Sequence, residues 1–258
     1  MLLEDRTAIV SGIGPGMGRD ISLAFAREGA NLVLAARTAG SLESLVAEVR
    51  ATGRRAIGVV TDIARDGDAE RLVDAAVGEF GRVDVLVNNA FKGPSFKRFE
   101  DDALSSWRAV FDVNVFGALR LTQVVVPHMK ERGGSIVFIN TMSTRIIEEG
   151  AGSYAASKGA LLTAAQTLAR ELGRYRIRVN SVVPGYIWGK PVEGYFRMLA
   201  AQRGTTPEAV HAEIAGQTAL NHIPTSAEIA DAVLFFASDL SRVVTGQALD
   251  VNGGHFFH

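Results

Sequence analysis

Short, unbroken apolar runs alternate along this chain with longer stretches whose apolar positions recur every three to four residues. The first run, Thr7-Ala8-Ile9-Val10, has the character of a parallel strand covered on both faces. After a glycine-rich turn, Ile21, Leu23, Ala24, Phe25 and Ala26 predict a helix that stops at Gly29. The rhythm then repeats. Further strands are expected at 31–36, 56–60, 83–87, 134–140, 177–183 and about 247–251. Helices are expected near 41–50, through Leu72 to Val77, along the stripe from Trp107 to Val124, from Tyr154 to Leu172, and from a Ser226 cap to Phe236. Strand–helix alternation of this kind predicts an α/β, doubly wound, three-layer domain with a mostly parallel sheet of seven strands. From Tyr186 to about Thr225 the period becomes irregular and aromatic, with Tyr186, Trp188, Tyr195 and Phe196. An insertion of that length suits a substrate loop or lid.

Composition narrows the function by exclusion. The chain has 258 residues, enough for one sizeable core, and no linker or repeat divides it, so one domain over 1–258 is expected. A formal net charge of −1 predicts neither a nucleic-acid surface nor a membrane-directed basic face. Without cysteine there is no thiolate or disulfide chemistry, and His128, His211, His222, His255 and His258 form no ligand-spaced pair. No catalytic metal is therefore expected. The N-terminal residues carry no signal pattern and no apolar run reads as long enough to span a membrane, which makes a cytoplasmic protein the expectation.

The candidate chemistry sits at the ends of the strands. Ser11-Gly12-Ile13-Gly14-Pro15-Gly16-Met17-Gly18 places a glycine-rich turn between a strand and a helix, the arrangement that holds a pyrophosphate at a helix N-terminus. A turn that binds nothing is the plainer alternative. After the second strand, Ala36 stands where an acid commonly binds the ribose 2′-hydroxyl of NAD, and Arg37 follows. A guanidinium there suits the 2′-phosphate of NADP, or else is a solvated loop arginine. Asp62, with Ile63, and Asn89, with Ala90, lie at strand tips and are cofactor candidates, although both acids and amides also favour turns. Asn114 is a polar amide within an apolar helix, either a satisfied core group or a functional one. Thr141 and Ser143 follow the fifth strand on the same side of an extended chain. Tyr154 and Lys158 stand one helical turn apart, where an ammonium stabilises a phenolate and makes the phenol a usable acid/base.

Taken together, these motifs resemble the short-chain dehydrogenase/reductase family over almost the whole chain. The resemblance rests on Gly12, Gly16 and Gly18, on Asn88-Asn89-Ala90, on Asn114, on Tyr154 with Lys158, and on Pro184-Gly185, in that order. It implies a Rossmann fold and hydride transfer between a nicotinamide coenzyme, NADP or alternatively NAD, and a small carbonyl or alcohol substrate. Tyr154 would be the general acid/base, Lys158 would bind the nicotinamide ribose, and Asn114 would hold a relay water. Ile187 would serve the carboxamide through its backbone, and a homo-oligomer, usually a tetramer, would be the assembly. Three positions depart from the pattern. The assisting hydroxyl, normally Ser, falls on Thr141 in one alignment and on Ser143 in another. Phe91 replaces a glycine, and Gly189 stands where threonine is frequent. An NAD-dependent alcohol dehydrogenase with the same chemistry is one alternative, and the departures motivate a second, a non-catalytic nucleotide-binding regulator. Aromatic residues in the insertion suggest an apolar or ring-bearing substrate, or simply packing of the loop.

Overall fold

All seven expected strands form, and every neighbouring pair is parallel. The coordinates are a computed structural model that describes residues 1–257; His258 lies outside the described residues. The first half of the chain runs β1 (Thr7–Ser11), α1 (Met17–Arg27), β2 (Asn31–Ala36), α2 (Ala39–Ala51), β3 (Ala56–Val60), α3 (Asp68–Phe80) and β4 (Val85–Asn88). It continues through α4 (Leu104–Phe111), α5 (Ala118–Met129), β5 (Gly134–Ile139), α6 (Gly152–Leu172) and β6 (Ile177–Pro184). The last elements are α7 (Lys190–Arg203), α8 (Pro207–Gly216), α9 (Ser226–Ala237) and β7 (Ala248–Val251).

The strand order is β3-β2-β1-β4-β5-β6-β7, so the winding reverses between β1 and β4. Chains leaving those two strands diverge and open a crevice at their carboxyl ends. Successive residues of each strand serve opposite faces. Ala8, Val10, Leu32 and Leu34 pack with Phe25 of α1, Leu42 of α2 and Phe236 of α9. Ile9, Val33 and Ala35 pack with Leu72 of α3, Leu121 of α5 and Leu161 of α6. Both faces being covered is why these strands read as continuous apolar runs.

Four local features differ from the expectations. The cap of α9 is Thr225 rather than Ser226: its hydroxyl accepts from Glu228 N–H while the Glu228 carboxylate accepts from Thr225 N–H, a complete capping box. The long stripe after Trp107 is not one regular helix, since Asp112–Gly117 is a π-helical segment between α4 and α5. The combined run Leu104–Met129 is 26 residues long and, by length and composition, apolar enough to cross a membrane, contrary to the sequence reading. Its apolar residues have a different use, because Ala118, Leu121, Val125 and Met129 are buried in the core on the α3 and α6 side of the sheet. Finally, the 186–225 insertion is ordered into α7 and α8 over its own small core of Phe196, Ala200, Val210 and Ile214. A parallel bridge between Trp188 and Thr225 pins the two ends of that excursion together.

Candidate active site

The crevice beyond β1 and β4 is a cavity of about 550 Å³. Of the predicted cofactor residues, Ser11, Gly12, Gly14, Pro15, Arg37, Asp62, Ile63, Asn89 and Ala90 line it. The glycines are there for space. Gly12 has φ +87°, and a Cβ on it would stand 2.4 Å from the backbone nitrogen and Cα of Ala90. A Cβ on Gly18 would lie 2.4 Å from the Gly12 carbonyl oxygen. Asn89 braces the turn by donating its amide to that same carbonyl. Gly14 and Gly16 face open space, which leaves room for a pyrophosphate against the N-terminus of α1. Ser11 Oγ is buried without a partner, a free polar atom on the floor of the cradle. The residues present therefore fit a dinucleotide. Gly12→Ala is expected to lower stability by about 3 kcal/mol through the clash and the positive φ. A thermal melt should register this as a fall of about 6–12 °C in Tm.

Gly16, Met17 and Gly18 shape the turn from behind and do not line the cavity. Met17 packs into the core, and Gly16 (φ +104°) is the residue before α1. Pro184 and Gly185 close β6, where a Cβ on Gly185 would meet Cβ of Asn252 at 2.8 Å; Ile187 packs against the core beside them. Asp62 accepts a hydrogen bond from Ala64 N–H (3.0 Å), so the turn role and an outward-facing role coexist.

Thr141, Tyr154 and Lys158 converge at the end of β5. Thr141 opens a 3₁₀ turn, and this brings its Oγ1 within 3.3 Å of Ser143 Oγ. Thr141 also lies close enough to the Tyr154 hydroxyl to favour its phenolate. Lys158 is buried and donates from Nζ to the Ile139 carbonyl at 2.7 Å, with Nζ 5.9 Å from the centre of the Tyr154 ring. Burial pushes the Tyr154 phenol up to about 12, with Thr141 pulling the other way. Burial brings the Lys158 ammonium down to about 7. The expected lowering of the phenol by Lys158 is not among the effects acting on Tyr154; burial dominates and raises it.

Asn114 lies in the π-helical segment, fully satisfied. Its Oδ1 accepts from Lys92 N–H (2.7 Å), and its Nδ2 donates to the Lys92 carbonyl and Ser157 Oγ, each at 3.0 Å. It ties the loop after β4 to α6, the helix that carries Tyr154. Phe91 meets Tyr154 edge-on, with centroids 6.2 Å apart, and lines the dinucleotide cavity from the other side.

Comparison with known proteins settles the lineage. The family model described as enoyl-(acyl carrier protein) reductase matches residues 12–255. The chain belongs to the short-chain dehydrogenase/reductase family. It is 34% identical over 262 residues to a 3-oxoacyl-[acyl-carrier-protein] reductase of Thermotoga maritima, covering 98% of this chain and 99% of that one. It is 32% identical over 253 residues to the 7alpha-hydroxysteroid dehydrogenase of Escherichia coli K12, covering 98% and 94%. A NAD+-bound xylitol dehydrogenase superposes with a TM-score of 0.91 at 28% identity, over 98% of this chain and all of that one. The chain is a nicotinamide-dependent oxidoreductase with the family's Rossmann sheet.

Within this family frame, sequence reasoning missed four contributors. Thr38 and Ser41 line the cavity beside Arg37, and Lys92 lines it near Phe91. Ser157, the buried partner of Asn114, also went unnamed. A serine one residue before Lys158 was the available signal. Gly189 has nothing within 4 Å of a Cβ position, so space alone does not demand glycine there. In the insertion, Tyr186 stacks between Tyr195 (6.3 Å) and His255 (6.0 Å), while Trp188 meets His211 edge-on at 4.4 Å. Glu149 is paired in the open with Arg98 at 2.8 Å.

Proposed function

We propose that the protein interconverts a carbonyl compound and its alcohol, with NADP as the preferred coenzyme. The observation that carries the reaction is the convergence of Thr141 and the Tyr154 hydroxyl at the end of β5, with Lys158 buried behind the ring. When bound, the coenzyme supplies or accepts the hydride. Thr141 then orients the substrate oxygen, supported by Ser143, and Tyr154 gives its proton to that oxygen in reduction or takes it in oxidation. Lys158, with an ammonium near neutrality, stabilises the phenolate and resupplies its proton. Because the Asn114 amide is fully engaged with Lys92 and Ser157, a relay water would be held by its backbone carbonyl, in a helix whose π-turn frees backbone acceptors.

The preference for NADP is supported by Arg37. Its guanidinium is exposed on the cavity wall, has no partner among the described residues, and stands beside the hydroxyls of Thr38 and Ser41. No acid ends β2 to repel a 2′-phosphate. Initial rates with a panel of ketones and both coenzymes test this reading. Arg37→Ala is expected to lower kcat/KM for NADPH by about thirtyfold, as one charge-assisted contact worth about 2 kcal/mol. The NADH value should stay within about threefold. An unchanged ratio would assign the preference elsewhere and favour the NAD reading, which the NAD+-bound xylitol dehydrogenase supports. The stacked aromatics of the insertion favour an apolar or ring-bearing substrate.

A further inference from the structure

At the amino ends of the strands, the pole of the sheet opposite Tyr154, lies a second cavity of about 560 Å³. Five arginines lie on the approaches to strands: Arg6, Arg132 and Arg176 within two residues of β1, β5 and β6, Arg82 three residues before β4, and Arg242 six residues before β7. With Arg178 they put six guanidiniums on the wall, against two carboxylates, Asp84 and Asp239. The formal surplus is four positive charges.

Helix C-termini offset part of it. α3, α5, α6 and α9 all end at this pole. Each carries about half a negative charge, about two in all, so about two positive charges remain. The arginines divide by commitment. Arg178 donates to the carbonyls of Phe236 (2.8 Å) and Ser238 (3.0 Å), and Arg176 donates to that of Glu131 (2.9 Å). Arg82 pairs with Asp84, and Arg6 with Asp239. Asp239 is shared: its carboxyl is held low by Arg6 first, with Arg178 and Arg242 close enough to add to the effect. Three guanidiniums therefore surround one carboxylate. Arg132 and Arg242 are exposed and make no side-chain hydrogen bond or ion pair among the described residues. Capping of helix ends explains Arg176 and Arg178 but leaves these two without a use.

We propose that this cavity binds a phosphate-type oxyanion, either free or as the terminal phosphates of a small molecule, with Arg132 and Arg242 supplying the open donors. Arginine forks suit such groups geometrically, presenting paired N–H donors to two oxygens at once, which favours a multiply charged oxyanion over chloride. The site is separate from the dinucleotide crevice, so it does not depend on the coenzyme assignment.

Isothermal titration calorimetry at fixed ionic strength tests it, with the full chain saturated with NADP so that the crevice is filled. Pyrophosphate is expected to give one saturable site. R132Q/R242Q should weaken it at least fivefold, and each single substitution should weaken it less. Since both side chains are exposed and unpaired, the variants should keep the wild-type circular dichroism and Tm. A parallel titration with adenosine 5′-diphosphate distinguishes the sources: tighter binding than pyrophosphate assigns the site to a phosphorylated small molecule, and equal or weaker binding to the free anion. Absence of saturable heat with both probes, or a loss below fivefold in the double variant, would overturn the proposal.

Discussion

Tyr154→Phe is expected to lower carbonyl-dependent oxidation of the reduced coenzyme by about a thousandfold, within the range that a positioned acid/base contributes. The substitution removes one oxygen and leaves the ring, its edge contact with Phe91 and the packing of α6 in place. Thr141 keeps its contact with Ser143. Coenzyme affinity, measured by fluorescence titration, should therefore change by less than about threefold, because no dinucleotide-cavity residue is touched. The pH profile adds a second readout. In oxidation the phenolate is the base, so the rate climbs with pH toward the phenol's value in the complex; in reduction the phenol is the acid, and the rate falls above that value. Both limbs should vanish in the variant. A variant retaining a tenth or more of wild-type activity would move the proton-transfer role away from Tyr154, and a lost coenzyme affinity would make the effect structural.

The same residues show how far sequence reading reaches. Strands were legible because a sheet covered on both faces needs apolar residues at every position, as in Ala8-Ile9-Val10. The phosphate turn was legible because Gly12 and Gly18 answer to steric demands that no other residue meets. Less visible were features set by small offsets or by tertiary packing. Counting three residues back from Glu228 leads to Thr225, not Ser226, and that count separates the true cap from its neighbour. The π-turn around Asn114 adds residues to a helical repeat, which leaves an apolar stripe looking regular while the backbone is not. In the insertion, α7 and α8 pack on each other instead of on the sheet, so their apolar positions follow a local core that no sheet-facing period predicts. The choice between Thr141 and Ser143 was open because two alignments of the strand end disagree by two residues, and a 3₁₀ turn brings both hydroxyls together; the contact with Tyr154 distinguishes them.

Lys158→Met should separate chemistry from stability, with opposite signs. Nζ is buried, and the one bond it makes is to the Ile139 carbonyl; no carboxylate offsets its desolvation. Burial lowers the ammonium from 10.5 to about 7 in the folded protein, while in the unfolded chain it keeps its ordinary value. Below about pH 7 both states are protonated, and the folded state bears the full cost of a buried charge. Between about pH 7 and 10.5 the unfolded state binds more protons, so stability rises with pH across that window. At about 1.4 kcal/mol for each pH unit separating the two values, the cost is at most about 5 kcal/mol. Methionine fills much of the same space uncharged but leaves the Ile139 carbonyl unpaired, at about 1–3 kcal/mol. The variant is thus expected to be about 2–4 kcal/mol more stable than wild type near pH 6.5, an advantage that disappears by about pH 10. Tyr154 does not confuse the measurement, since its raised phenol destabilises the fold only as pH climbs from 10 toward 12. Urea melts of the coenzyme-free proteins at three pH values read the difference directly, and turnover should fall at least about a hundredfold in the same variant. A stability difference that stays constant with pH would mean that Lys158 titrates at its ordinary value, and would remove the basis for its acting as a proton donor near neutrality.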